Sequence, residues 1–209
     1  MHKLFDFLQI KKKAKLVAII MLIVALCFEI VEFTSETISN GFSFEYFFAF
    51  IFDIAVTALI VFSLIKINIK LLEISIVVLK TFEGTYYPMR SAERLDVILS
   101  AGTVDTFNLV THIFFAIASI CMLIALVFYC LYKLTGRLLL WDIMKICMLT
   151  SSLAMIISAV LYTVEISRGE IHWEEILEPL TLACMFLGVY ATCEFIEEEV
   201  ENKKTNVLE

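Results

Sequence analysis

The chain is short of charge. Only 19% of its residues are Asp, Glu, Lys or Arg, against about 25% in soluble domains. Glycine and proline are scarce too, at six and two. Broken transporter helices and re-entrant filters draw on both, so this scarcity weighs against a transporter. No G-x-x-x-x-G-K, H-E-x-x-H, G-x-S-x-G or G-x-G-x-x-G pattern occurs. That removes the common phosphate-loop, zinc-protease, hydrolase and dinucleotide readings. No enzyme activity and no cofactor are expected. Lysine and arginine form no run beyond Lys11, Lys12, Lys13 and Lys15, and the net charge is −7. Nucleic acid binding is excluded on this ground, because it needs clustered cations to displace counterions.

Histidine is rare as well. His112 stands alone in an apolar block, and the other histidines, His2 and His172, are terminal or in a loop, so a haem with two histidine ligands is not expected. His172 lies among Glu170, Glu174 and Glu175, but without a spacing diagnostic of a metal, and no metal site is assigned. The six cysteines (Cys27, Cys121, Cys130, Cys147, Cys184 and Cys193) all sit in apolar blocks and form no C-x-x-C pair. They read as small hydrophobes.

What the chain does have is apolar length. Hydrophobic residues make up 61% of it, and its mean hydropathy is +0.91. Runs such as YFFAFIFDIAVTALIVFSLI and FNLVTHIFFAIASICMLIALVFYCLY match the ~20 residues a helix needs to cross ~30 Å of hydrocarbon. The fold class is therefore all-α: a polytopic integral membrane helical bundle with five to six transmembrane helices, forming one transmembrane domain. Spans are expected at about 16–33, 46–67, 107–132, 138–164 and 173–196, with 67–82 as a sixth, weaker one. The first block is too long for a secretory h-region and reads as a retained span.

Residues 67–82 decide the count. Lys66, Lys70, Glu73 and Lys80 fall on one stripe less than a quarter-turn wide at about 100° per residue. Such a helix either lies on the membrane or a partner, or crosses with its polar edge facing the bundle interior. Gly84 and Pro88 predict a break after it. Ser91 as N-cap and Gly102 as terminator predict a short amphipathic helix in an 82–106 loop. Residues 34–45 and 165–172 read as acidic loops, and 197–209 as a charged tail. Counting Lys and Arg by side places the N-terminus in the cytoplasm whether the chain has five spans or six. A plasma-membrane location is expected.

Intramembrane acids carry the functional reading. Glu29 and Glu32 share a face near the end of the first span, Asp53 lies deeper in the second, and Glu178 opens the last. A carboxylate in hydrocarbon is costly unless it is paired, protonated or wetted. These residues are candidates for binding a transported proton, ion or small solute. The plainer alternative leaves Glu29, Glu32 and Glu178 as interfacial residues reaching headgroup water. Asp142 and Lys145, three apart, are expected to form a structural ion pair. Cys184, Gly188 and Thr192 recur every four residues, as do Ala154 and Ser158. These small faces suit close helix packing in lipid, within the chain or in a homo-oligomer. Two functions stay open: transport through embedded carboxylates, and a non-catalytic scaffold or accessory subunit of a larger complex. The expected partners are the bilayer, a second copy, or another membrane subunit.

Overall fold

The computed structural model describes residues 13–100, 106–169 and 173–208. Among them are six long helices: α1 (Ala14–Asn40), α2 (Phe44–Lys66), α3 (Ile69–Ser100), α4 (Thr106–Thr135), α5 (Leu138–Arg168) and α6 (Leu177–Leu208). A 3₁₀ turn, Trp173–Ile176, leads into α6. The segments 14–39, 46–66, 109–135, 138–168 and 177–200 are long and apolar enough to cross a membrane. The protein is thus a polytopic, all-α membrane bundle. The N-terminal residues 1–12, Gly102, Glu170 and His172 lie outside the described residues.

Successive helices run antiparallel. Phe33 of α1 stacks on Phe50 of α2 at 4.1 Å. Phe52 of α2 meets Phe82 of α3 at 4.4 Å. Lys133 and Glu73 are 2.8 Å apart at one end of the α3–α4 seam, and Ser91 and Ser119 are 3.0 Å apart further along it. Ser151 donates to the Ala118 carbonyl of α4 at 2.9 Å, and Ser152 to the Ala183 carbonyl of α6 at 2.9 Å. Such interhelix bonds contribute about 0.6 kcal/mol each in lipid. The circuit closes between α6 and α1, where Lys15 lies over the Phe195 ring. One end of the bundle therefore carries the cations Lys15, Lys66, Lys70, Lys133 and Arg137, and with them the acids Glu73, Asp142, Glu194 and Glu197. The other carries Glu29, Glu32, Glu36, Glu165 and Glu178.

α6 is the central helix. Of its most apolar stretch 83% is buried, against 17% for α1. It is apolar almost all round, as a helix surrounded by others must be. α1 offers it Ala14, Ala18, Leu22 and Ala25, all buried and spaced by one turn. The three alanines let the two backbones approach, and Leu22 packs onto Gly188 of α6.

Several loop expectations are corrected. α3 runs unbroken from Ile69 to Ser100 with Pro88 inside it. The carbonyl that Pro88 leaves without a donor, and against which its ring presses, is that of Gly84, four residues back. Glycine is the residue whose backbone adjusts most readily there. Neighbouring helices in a membrane bundle support such a site. The 82–106 segment is accordingly the second half of a long helix up to Ser100. Ser91 caps nothing; it is buried against Ser119. The 34–45 loop shrinks to three residues, because α1 continues to Asn40 and Thr34 turns its hydroxyl back to the Ile30 carbonyl at 2.7 Å. Glu165 belongs to α5, not to a loop. α3 is not among the five apolar segments, yet it follows α2 from its turn at Ile67 to Phe82 and α4 from Glu73 to Ser91.

Candidate functional site

Asp53 sits on the inner face of α2 with Val56, Thr57, Ile60 and Leu64, at helical spacing. It is 4% exposed and Thr57 1%. Oδ1 of Asp53 and Oγ1 of Thr57, one turn apart, have no hydrogen-bond partner in the protein. Groups buried in this way are nearly always satisfied, so the pair is an exception that calls for a chemical reason. Glu29 of α1 lies near enough to act on Asp53 electrostatically. The carboxylates of two helices therefore approach each other inside apolar surroundings.

Glu29 also borders a small hollow, shared with Glu32 and Phe33 of α1, Tyr46 and Phe50 of α2, and Tyr86 of α3. Its volume is about 30 Å³, enough for a water-sized occupant. The stacked rings of Phe33 and Phe50 form one wall. Tyr86 is itself stacked on Phe82 at 5.4 Å, and Phe82 packs on Phe52, the neighbour of Asp53. Glu29, Glu32 and Asp53 are thus brought into one neighbourhood. Glu178 does not line this hollow. It lies in the first turn of α6, half-buried, one turn before the buried Thr181, whose Oγ1 has no hydrogen-bond partner among the described residues.

Asp142 and Lys145 are 3.7 Å apart, but that is the longest contact of a larger cluster. Lys145 reaches across to α6, 2.8 Å from Glu194 and 2.5 Å from Glu197. Its side chain is 10% exposed and that of Glu194 7%, whereas Asp142 is 57% exposed. The short contacts are the interhelical ones.

The small faces lie within the bundle. A Cβ on Gly188 would come within 2.8 Å of Leu22 Cγ, so this glycine marks a close approach of α6 to α1. Thr192 returns its hydroxyl to the Gly188 carbonyl at 2.8 Å. Cys184 is half-buried. Ala154 is buried, and Ser158 is buried toward the Thr111 carbonyl of α4 at 3.5 Å.

Three buried charges escaped the sequence reading. Lys80 is fully buried, with Nζ 2.8 Å from Met148 Sδ and 6.0 Å from the Tyr129 ring centre. The charged stripe of α3 faces α4, so its shallow members reach water while Lys80 is covered by α4 and α5. The seven-residue step from Glu73 to Lys80 was the available signal, since it keeps both on one face. Glu165 is 1% exposed and accepts from Thr111 Oγ1 at 3.1 Å. Glu194 lies inside the last expected span, 173–196, and was not singled out there. His112 packs against Tyr162 at 6.2 Å.

The chain matches no family model, no curated protein and no solved structure.

Proposed function

We propose that this protein moves a proton or small cation across its membrane, with Asp53 as the deep carboxylate and Glu29 and Glu32 at its approach. The observation that carries the reading is Asp53 itself: 4% exposed in an apolar helix, Oδ1 without a hydrogen-bond partner, and a second carboxylate, Glu29, close by. Leaving a carboxylate so placed carries a penalty of several kcal/mol unless a proton or cation offsets it. The acidic end supplies a source of attraction for cations. The basic end, with Lys66, Lys70, Lys133 and Arg137, faces the cytoplasm on this reading, and the membrane is the plasma membrane. No reaction is assigned to the chain.

The test is flux into sealed vesicles reconstituted with the full chain. Wild type should dissipate a proton or monovalent-cation gradient, and Asp53→Asn should abolish that flux while preserving helical content. Absence of flux from wild type, or equal flux from the variant, would overturn the reading.

One observation supports the scaffold alternative. The second half of α3 is a continuous helix that exposes Met89 and Leu99, at 64% and 61%. If this half holds another membrane subunit, deleting 89–100 releases a protein that otherwise co-purifies in mild detergent. Partner-free isolation of the intact chain from its native membrane counts against it.

A further inference from the structure

Between α3 and α4, on the outside of the bundle at its basic end, runs a groove of about 510 Å³. That lies within the range of ligand sites, roughly 300–1,000 Å³. Its floor is apolar: Ile74 and Val77 from α3, Cys130 and Leu134 from α4. Ile74 and Leu134 are widely exposed, at 58% and 82%. Its end is not apolar. Lys133 stands there, 41% exposed, 2.8 Å from Glu73 and with its ammonium over the rings of Tyr129 and Tyr132 at 5.6 and 6.0 Å. Lys70 lies one turn before Glu73, and Arg137 lies in the short turn between α4 and α5, both exposed.

We infer that this groove binds one anionic phospholipid, an acyl chain lying along Ile74, Val77, Cys130 and Leu134 and the headgroup phosphate meeting Lys133. Three observations converge. The groove begins at the end where exposed cations cluster, which is where headgroups of a bilayer lie. Its apolar floor descends from there alongside spanning helix α4, in the direction an acyl chain takes. Lys133 is presented by two aromatic rings, so the headgroup meets a fixed ammonium instead of a freely moving one. Glu73 is the acid lining the groove and competes with the phosphate for Lys133. The pair with Glu73 is neutral overall, so selection for a headgroup with net negative charge over a zwitterionic one comes from the surplus positive charge of Lys70 and Arg137. Nothing in this inference depends on the transport reading.

The test uses the full chain purified in a mild neutral detergent. Native mass spectrometry reads retention of dioleoylphosphatidylglycerol against dioleoylphosphatidylcholine. Wild type should retain one phosphatidylglycerol at least about fivefold better, the increment expected of one well-placed cation at a membrane surface. Lys133→Gln should lose that preference. Glu73→Gln should raise phosphatidylglycerol retention, because it frees Lys133. Val77→Trp, which fills the groove, should reduce retention of both lipids. A gain of binding in Glu73→Gln cannot come from misfolding, so this variant keeps the test decisive if another folds poorly. Equal retention of the two lipids by wild type, weaker binding by Glu73→Gln, or full binding by Val77→Trp would each overturn the site.

Discussion

Lys145 of α5 lies 2.8 Å from Glu194 of α6, both side chains nearly buried, and so ties the outer helix to the central one by charge. Glu197 joins from one turn further on. A pair held away from water makes an asymmetric contribution. Removing one partner leaves a charge without compensation and destabilises by about 3–5 kcal/mol, whereas replacing both with apolar residues is often neutral or better. Lys145→Met should therefore lower the thermal unfolding temperature in detergent sharply. The combination with Glu194→Leu should recover much of that loss. A single substitution without effect would show the pair to be incidental.

Lys80 tests the packing of α3. Its side chain is fully buried by α4 and α5, while Lys66, Lys70 and Lys133 are exposed. An amine-reactive, membrane-permeant ester applied to the folded protein should acylate those three and spare Lys80, as read by peptide mass spectrometry. After denaturation all four should react. Labelling of Lys80 at the rate of Lys70 would mean that α3 does not pack into the bundle as described.

The spans were legible because hydrocarbon dictates them: a helix must hide its backbone over about 20 apolar residues, and such runs stand out without any tertiary information. Asp53 and Glu29 were legible for the same reason, as charges in an apolar frame. The rest depended on partners distant in sequence. Glu165 looked like loop because charge near a span end usually is; it is buried beside Thr111, on another helix, which donates to it. Glu194 drew no notice within the last span, because its partner Lys145 lies on another helix. Gly84 and Pro88 were read by rules for chains in water, where a lost helical hydrogen bond usually ends the helix. Packing α3 between α2 and α4 overrides that local preference. The ion pair foreseen between Asp142 and Lys145 obeyed local spacing and is present, but spacing along one helix carries no information about the neighbour that binds more closely.

Gly188 sets the distance between α1 and α6. A methyl group there would sit 2.8 Å from Leu22 Cγ, 2.9 Å from its Cδ2 and 3.3 Å from its backbone nitrogen. The side chain can rotate away, but the backbone contact remains tight. Gly188→Ala should destabilise by about 1–3 kcal/mol, as overpacking of a close core does, although alanine is the better helix former. Leu22→Ala in the same chain should restore part of the loss, since it removes the two closest contacts. The measurement is a double-mutant cycle on detergent-solubilised protein. Additive effects of the two changes would rule out the proposed clash.

The turn between α2 and α3 holds the one non-glycine residue of positive φ among the described residues, Ile67, at φ 54° and ψ 43°. Its amide donates to the Leu64 carbonyl and the next amide, of Asn68, to the Ser63 carbonyl. This is the Schellman closure in which glycine is usual. A β-branched side chain there strains against its own backbone by about 1–2 kcal/mol. Ile67 is 47% exposed, so little packing is lost by removing it. Ile67→Gly should therefore raise stability by roughly 0.5–1 kcal/mol, the relief of strain exceeding the added freedom of the unfolded chain. Ile67→Val keeps the branched carbon and should give no gain. Thermal unfolding of the two variants side by side decides it. A fall in midpoint for Ile67→Gly would mean that the isoleucine side chain, and not the backbone, holds α2 and α3 together at this turn.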